Sequence, residues 1–402
     1  MARSIKFTKL IPHLIYLSVM SYFISRFPRK HYTYRNITRF RHDMKHILLW
    51  TDVPGFDEEG QNVFLKRKCA IKNCYASRNR TLFGDLRYFD AVLFDAKDVS
   101  QGDMELPSVR SGYQKYIFVA NDSSDNYPVC KSVYDDFFNW TWTYKLDSTI
   151  PYQNFAVKNL NDEHLGTYFP LKTKAMELDR LSKSRYHSKS KAAAIFLDKC
   201  DSRSEREKFI LELQKELAKY KLSIDVFGKC GKECKRKSMA PCFWKLRKNY
   251  FFYLALEDSI AEDYITEQIL YGYKYNAVPI VYGGANYPNF LPQNSYINAM
   301  EMDVEYLAKT MNSLIQNRSG YYEYFEWKNH YVITDYTGLD PCNLCRNLNH
   351  DPWITLKVSF YMFRAWWNPD YRKRCDTAIC FVKVGMNPHA ACELAENTPF
   401  QV

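Results

Sequence analysis

Three side chains in the segment EDSIAEDYITEQ, at 257–268, have types and a spacing suited to binding a nucleotide. Tyr264, Glu267 and Gln268 stand at positions i, i+3 and i+4, so a helix would place all three on one side. A carboxylate there can accept two hydrogen bonds from a ribose diol, as acidic residues do in dinucleotide folds. The alternative is a polar helix face without a ligand, which the spacing alone does not exclude.

Arg206 is a second candidate, because it falls in the first turn of a predicted helix after an apolar run. The N-terminus of a helix offers free N–H groups and the positive end of the helix dipole, so phosphates bind there. An arginine at that point adds a bidentate contact. The alternative is a solvated arginine paired with Glu205 or Glu207.

Apolar runs alternate with polar stretches along the chain, as in an α/β protein. The runs that predict buried strands are His46–Trp50, Phe89–Phe94, Tyr116–Ala120, Ala192–Leu197, Leu222–Phe227 and Val278–Tyr282. Phe209, Leu213 and Leu217 predict an amphipathic helix between two of them, and Asp263–Tyr275 predicts another helix. Strand, helix and strand form βαβ units, which build parallel sheets. The Lys- and Ser-rich stretch Leu181–Lys191 is the predicted domain boundary.

The composition indicates an ordinary globular protein of two or three domains. The chain has 402 residues, 46% hydrophobic and 25% charged, and a net charge of +11 that is spread along the sequence. A spread basic excess is typical of a solvated surface and also suits an anionic substrate. Nucleic acid is disfavoured, since no basic run is interleaved with aromatic residues.

Cysteines and glycosylation triplets predict an oxidising compartment. The chain has 12 cysteines. The five Asn-x-Ser/Thr triplets begin at Asn36, Asn79, Asn121, Asn139 and Asn317. Residues 10–27 (LIPHLIYLSVMSYFISRF) are mostly apolar and predict an uncleaved transmembrane signal anchor. Glycosylation places the larger part in the lumen, so we expect a single-pass type II protein of the Golgi membrane.

The segment FYLALEDSIAEDYITEQ, followed by NAVPIVYGGANYPNFLPQNSYI, resembles the donor-binding signature of the α-1,3/4-fucosyltransferases, glycosyltransferase family 10. That signature runs approximately FYLxFENSxxxDYxTEK, then VPVVxG and FxPxxSFI. DKCDSRSEREKFILEL resembles the family's NCxxxSxRxxYxxxL, and FFNWTWTYKLDS resembles FNWTxTYRxDS. The likeness covers residues 45–350.

The resemblance implies a GT-B-like α/β fold of two Rossmann-type domains that face a cleft. We expect a cytoplasmic tail at 1–9, a stem at 28–44 and an N-terminal acceptor-side domain at 45–180. A GDP-fucose-binding domain at 192–350 and a C-terminal tail at 351–402 would follow. Arg206 matches the arginine that holds the diphosphate, and Tyr264 and Glu267 match the tyrosine and the ribose-binding glutamate. No cofactor is expected besides the donor substrate, GDP-fucose.

Three positions depart from the family pattern. Gln268 stands where the family has a lysine that supports the leaving diphosphate, and Asp258 replaces the asparagine of FENS. The family's general base is the glutamate of an ESP motif. The matching segment here is IFVANDSSD, which makes Asp122 the candidate base. The family's HHR-like element is also absent, since FDAVLF is followed by Asp95-Ala96-Lys97.

Cys69, Cys74, Cys342 and Cys345 could by themselves be read as a zinc site, since C-x₂-C pairs often bind zinc. The gap between the pairs is longer than in compact zinc modules, and the expected compartment is oxidising. In the family resembled, a C-terminal C-x₂-C is tied by two disulfides to the N-terminal domain. We therefore expect Cys69 and Cys74 to pair with Cys342 and Cys345, in an order left open.

The other expected pairs are Cys200 with Cys242 and Cys230 with Cys234. No metal is expected, because the chain contains no Asp-x-Asp triplet and its histidines have no paired-ligand spacing.

The expected function is inverting transfer of fucose from GDP-fucose, in α-1,3 linkage, to an N-acetylglucosamine-containing glycan. The alternative is a non-catalytic Golgi glycan- or nucleotide-binding protein that retains the fold. The partners expected are the donor, a glycan acceptor on glycoprotein or glycolipid, and the membrane, with no nucleic acid.

Overall fold

The computed structural model describes residues 43–165, 188–234, 240–335, 338–350 and 360–375. No helix in these ranges combines the length and the apolar character that a membrane span requires. The predicted anchor at 10–27, the tail at 1–9 and Asn36 lie outside the described residues.

A parallel sheet forms the core of the first half. Its strands are β1 (Lys45–Leu49), β2 (Cys74–Ser77), β3 (Ala91–Asp95), β4 (Lys115–Val119), β5 (Trp140–Thr143) and β6 (Ile150–Pro151). They run in the order β2-β1-β3-β4-β5-β6. Two helices, α1 (Asn62–Lys66) and α2 (Ala96–Gln101), connect them. Every residue of β3, β4 and β5 is buried, as expected for a parallel sheet covered on both faces.

A second parallel sheet forms the other half, after the strand β7 (Phe155–Asn159). Its strands are β8 (Lys191–Phe196), β9 (Ile224–Phe227), β10 (Tyr250–Leu256), β11 (Val278–Tyr282) and β12 (Ile297–Asn298), in the order β12-β11-β10-β8-β9. Its helices are α3 (Arg206–Ala218), α4 (Ala240–Asn249), α5 (Ile269–Lys274), α6 (Val304–Gln316) and α7 (Arg318–Glu323). Phe209, Leu213 and Leu217 are buried on α3, so that predicted helix is confirmed. The α/β class is confirmed, and two parallel sheets fit a GT-B-like architecture.

The chain then returns to the first half. Strand β13 (Tyr331–Asp335) pairs antiparallel with β7, and α8 (Pro341–Leu348) and α9 (Phe363–Trp367) follow. Leu344, Phe363 and Trp367 are fully buried in the core of the first sheet. Helix α8 therefore packs into the core of the first half, although it lies within residues 192–350, the predicted second domain. Helix α9 lies in the predicted tail, but it is part of the same core.

Disulfides fix this return of the chain. Cys69 is bonded to Cys342 and Cys74 to Cys345, which is the pairing between segments that the sequence analysis expected. A third bond, between Cys130 and Cys375, was not anticipated.

The expected pairs within the second half are wrong. Cys200 is bonded to Cys230, and Cys234 is bonded to Cys242. The reason is the parallel order of the strands. Cys200 follows β8 and Cys230 follows β9, and these neighbouring strands end at the same edge of the sheet.

Candidate active site

The candidate site lies where the carboxyl ends of four strands meet. Asp95 ends β3 and Asp122 follows β4 in the first sheet, while Lys199 follows β8 and Asp258 follows β10 in the second. Ligands of parallel α/β sheets bind outside the carboxyl ends of the strands. The arrangement therefore brings three carboxyl groups and an ammonium group together at the boundary between the two halves.

Three donors hold one oxygen of Asp122. Oδ1 accepts hydrogen bonds from the Ser123 N–H at 2.6 Å, from Asn126 Nδ2 at 2.9 Å and from the Tyr264 hydroxyl at 3.2 Å. Oδ2 accepts none from any other described residue, and Asp122 borders a pocket of about 130 Å³. One oxygen is fixed in place, and the other can take a proton from a bound hydroxyl group.

Tyr264 is buried in the core of the first sheet, although it comes from the second half of the chain. Its ring packs edge-on against Tyr144 at 5.1 Å between centroids. Burial raises the pKa of Tyr264 far above its usual value, so its hydroxyl stays protonated and donates to Asp122. The donor-binding role expected of Tyr264 stays a prediction. In the structure its hydroxyl fixes the position of Asp122.

Asp258 connects the two halves through its carboxylate. Its Oδ2 accepts a hydrogen bond from Lys199 Nζ at 2.9 Å, and Asn126 Nδ2 lies 3.1 Å and 3.2 Å from its two oxygens. Burial alone would raise the pKa of Asp258. The hydrogen bond and charge of Lys199, with the bond from Asn126, instead hold that pKa below its usual value. Asp258 is therefore ionised at neutral pH and paired with Lys199.

Glu257 determines the path of the segment that follows β10. Its Oε1 accepts a hydrogen bond from the Thr266 N–H at 2.9 Å, and its Oε2 accepts one from the Thr266 hydroxyl at 2.9 Å. Burial raises the pKa of Glu257 to about 7, against the lowering effect of these bonds. Because Thr266 gives its N–H to a side chain, it cannot give it to a helical carbonyl.

The predicted helix at Asp263–Tyr275 is therefore shorter than expected. Helix α5 begins at Ile269, and Asp263 has a positive φ of 60°. Tyr264 and Glu267 precede the helix, so they do not share a helical face with Gln268 as predicted.

Glu267 and Gln268 are not part of the carboxylate cluster. The Glu267 side chain is exposed and makes no hydrogen bond or ion pair with another described residue. Gln268 caps the N-terminus of α5 without a side-chain hydrogen bond. Its Oε1 is buried and has no hydrogen-bond partner among the described residues.

Arg206 begins α3 as predicted, but its side chain is only 3% exposed. Its Nη1 donates to the Leu256 carbonyl at 2.7 Å and its Nη2 to the Lys199 carbonyl at 3.3 Å. Its Nε lies 3.5 Å from Glu207, one of the two partners considered for a solvated arginine. The guanidinium thus holds the ends of β8 and β10 together beneath the cleft.

The pocket beside Asp122 is also lined by Asp95, Lys97 and Asn121. Asp95 caps α2 by accepting the Lys97 N–H at 2.9 Å. Burial raises the pKa of Asp95 to about 6, against that hydrogen bond. The pocket therefore has a second carboxyl group where the family resembled has its HHR-like element.

The glycosylation triplets differ in their surroundings. Asn79 and Asn317 are exposed. Asn139 accepts the Tyr116 N–H at 2.9 Å through its Oδ1 and is half-buried. Asn121 is exposed and borders the pocket, so a glycan there would crowd the candidate site.

Sequence reasoning missed Lys199, Asn126 and Glu257. Lys199 and Glu257 each follow a parallel strand, and that position is the signal that could have identified them. Asn126 has no such signal, because its importance depends on the contact between the two halves. Within the described residues, no group of three His, Cys, Asp or Glu side chains is placed to hold a metal ion.

Comparisons with known proteins point to one family. A family model described as "Glycosyltransferase family 10 (fucosyltransferase) C-term" matches residues 186–361, and "Fucosyltransferase, N-terminal" matches residues 42–154. The chain is 30% identical to "Alpha-(1,3)-fucosyltransferase C" of Drosophila melanogaster, over 82% of this chain and 79% of that protein. It is 29% identical to "Glycoprotein 3-alpha-L-fucosyltransferase A" of the same organism, over 81% of this chain and 60% of that protein.

Two further similarities are weaker. The chain is 27% identical to "GDP-fucose protein O-fucosyltransferase 3" of Xenopus laevis, over 73% of this chain and 61% of that protein. A solved α1,3-fucosyltransferase with GDP-fucose is 11% identical, with a TM-score of 0.45, over 83% of this chain and 96% of that one.

The two family models and the Drosophila relatives show that this protein of two parallel α/β halves is a glycosyltransferase. The chain belongs to glycosyltransferase family 10, the fucosyltransferases.

Proposed function

We propose that this protein transfers fucose from GDP-fucose, with inversion, to the 3-hydroxyl of an N-acetylglucosamine-containing glycan. The observation that carries the proposal is the carboxylate of Asp122, a residue that lines the pocket, with Oδ1 fixed by three donors and Oδ2 without a hydrogen bond to another described residue. A general base must lie within reach of the hydroxyl proton that it removes, and this geometry provides such a group. Membership of the fucosyltransferase family supplies the donor.

The other candidate residues take roles that fit their positions. Glu267 is exposed before α5, where its carboxylate can accept hydrogen bonds from the ribose of the donor. Arg206 holds the first turn of α3, whose N-terminal N–H groups favour a phosphate. Asp258 lies beside them and fixes Lys199. Tyr264 orients the base, and Gln268 lies at the start of α5.

The names of the relatives support different acceptors. The two Drosophila proteins are named as an α-1,3-fucosyltransferase and a glycoprotein fucosyltransferase, which favours a glycan. The Xenopus protein is named as a protein O-fucosyltransferase, so a peptide hydroxyl belongs in the same acceptor panel.

We further propose a GT-B-like enzyme of the Golgi membrane with residues 10–27 as its signal anchor. The apolar composition of that segment supports this, and so do the glycosylation triplets and the five disulfides among the described residues. All of these suit an oxidising lumen.

The decisive experiment compares the full-length chain, purified in detergent, with its Asp122→Asn variant. Each is incubated with GDP-fucose and a panel of N-glycan, antennary and peptide acceptors. Asparagine can keep all three bonds to Oδ1 but cannot accept the proton. We expect transfer to fall by about 10²–10⁴-fold, with GDP affinity unchanged.

Asp103→Asn is the matched control, because Asp103 is a carboxylate that is 99% exposed. The Asp122 variant creates a new glycosylation triplet at position 122, so all proteins are produced without N-glycosylation. If the wild type transfers no fucose to any acceptor while binding GDP, the catalytic proposal is wrong.

A further inference from the structure

Lys199 has a fixed backbone and a half-exposed side chain at the donor side of the cleft. Its carbonyl accepts a hydrogen bond from Arg206, and the next residue, Cys200, is disulfide-bonded to Cys230. Its side chain is 49% exposed, and its ammonium group is held by Asp258. The ammonium can therefore leave this carboxylate for another anion without any movement of the backbone.

The site needs a cation that Arg206 and Gln268, the two residues expected to contact the diphosphate, do not present. When fucose leaves GDP, negative charge develops on the β-phosphate, and a preorganised positive group stabilises it. Arg206 has both terminal nitrogens on backbone carbonyls beneath the cleft. Gln268 is neutral. Lys199 follows β8 and precedes the N-terminus of α3, where a phosphate is favoured.

We propose that Lys199 is the catalytic cation that binds the β-phosphate of GDP, and that Asp258 holds it in place while no donor is bound. The inference rests on the proposed function, since it assumes a nucleoside diphosphate donor. The proposed role of Lys199 explains two departures from the family motif, Asp258 and Gln268. A negative charge at position 258 requires a positive partner, and Lys199, which stands where the family motif has asparagine, provides it. The same lysine compensates for the neutral Gln268.

The role of Lys199 in the reaction is electrostatic. The bond between the anomeric carbon and the β-phosphate oxygen breaks, and its electron pair leaves with that oxygen. The acceptor oxygen bonds to the anomeric carbon, and its proton passes to Asp122. The ammonium group neutralises charge on the departing diphosphate and keeps its own protons.

The test measures the affinity of the full-length chain for GDP and for GMP by calorimetry, which does not depend on transfer. A cation on the β-phosphate favours GDP over GMP. In Lys199→Met we expect this preference to fall about 10–100-fold, since a charge-assisted hydrogen bond is lost. Lys199→Arg should retain most of the preference. Arg203→Met removes an exposed charge from the same loop and should leave the preference unchanged.

A second pair of variants tests whether Lys199 supports the diphosphate in place of the lysine that the family has at position 268. Gln268→Lys should change the GDP preference little in the wild type and restore it in Lys199→Met. Melting temperatures confirm that each variant is folded.

The proposal is overturned if folded Lys199→Met keeps the GDP preference, or if Arg203→Met loses it instead. It is also overturned if wild type shows no preference. A wild type that prefers GDP but transfers no fucose would refute the proposed function alone.

Discussion

Two adjacent carboxyl groups at the end of β10 have pKa values that are shifted in opposite directions. Glu257 is buried against Thr266, and burial raises its pKa to about 7. Asp258 is also partly buried, but Lys199 and Asn126 bind its charged form and lower its pKa. Below about pH 7 Glu257 is therefore mainly protonated, while Asp258 carries the charge that binds Lys199 and contacts the first half.

The buried carboxyl of Glu257 predicts a pH-dependent stability. Its usual pKa is 4.5 and its folded pKa is about 7, so between these values the unfolded chain releases a proton that the folded chain keeps. Stability should therefore fall as the pH rises from 4.5 to about 7, by on the order of 3 kcal/mol from this group. Glu257→Gln remains neutral and can still accept the Thr266 N–H.

We expect the difference in thermal stability between wild type and Glu257→Gln to shift in favour of the variant as the pH rises from 5 to 8. Glu267→Gln, on the same segment, controls for the loss of one carboxylate. Parallel stability profiles of wild type and Glu257→Gln would show that the group does not titrate in this window.

The identities of several site residues could be predicted from the sequence, but their partners could not. Asp122, Asp258 and Tyr264 were all candidates, because motif resemblance depends on local order. The hydrogen bond from Tyr264 to Asp122 joins residues separated by 142 positions, and it exists only because the two halves pack together. The contact between Tyr264 and Asp122 could therefore not be predicted from the sequence, and the donor-binding role expected of Tyr264 stays a prediction.

At the scale of elements, the parallel strands were predictable and the segment after β10 was not. Short apolar runs in the sequence predicted six strands, with bounds correct to within about two residues: β1, β3, β4, β8, β9 and β11. The wholly buried β10 was treated only as part of a motif and missed as a strand. The helix predicted at Asp263–Tyr275 does not form in its first turns, because the buried carboxyl group of Glu257 accepts the Thr266 N–H.

Gly284, which follows β11, packs closely against the segment that follows β10. A Cβ atom at Gly284 would lie 2.6 Å from the Ala261 carbonyl oxygen and 2.8 Å from the Ala261 nitrogen. These are backbone atoms, so Gly284→Ala must displace the segment that carries Tyr264 and Glu267. We expect GDP affinity to fall about tenfold or more, which corresponds to about 1.4 kcal/mol, together with a lower melting temperature.

Gly84→Ala is the control, since Gly84 has a φ of +68° but no atom within 4 Å of the added Cβ. It should lower stability through backbone strain alone and leave GDP affinity unchanged. Equal GDP affinity in Gly284→Ala and wild type would mean that the segment accommodates the methyl group.

At the scale of the whole molecule, the C-terminal segment (described residues 338–350 and 360–375) packs into the core of the first half. Three disulfides join it there, with sequence separations of 273, 271 and 245 residues. Composition predicted disulfides in general, and family resemblance predicted two of these connections. Neither could show that α9 packs into the core, because a helix of five residues has too little periodicity to indicate a buried face.

Trp367 links this segment to the candidate base. Its side chain is fully buried, its Nε1 donates to the Tyr127 carbonyl at 2.8 Å, and its ring packs against Tyr144 at 5.7 Å. Tyr144 in turn packs against Tyr264, which donates to Asp122. Support for the Asp122 carboxylate therefore comes both from the second half and from the C-terminal segment.

Trp367→Ala should consequently impair both stability and catalysis. Removing a fully buried tryptophan costs about 3–5 kcal/mol, and we expect a lower melting temperature and a reduced kcat at temperatures where the variant is still folded. Trp366→Ala is the matched control, because this neighbour is only partly buried and its Nε1 donates to Asp147 on the surface. A Trp366 variant as impaired as the Trp367 variant would show that loss of α9 as a whole, and not the contact with Tyr144, disturbs the base. A Trp367 variant that melts early but retains wild-type kcat would show that Tyr264 holds Asp122 without support from the C-terminal segment.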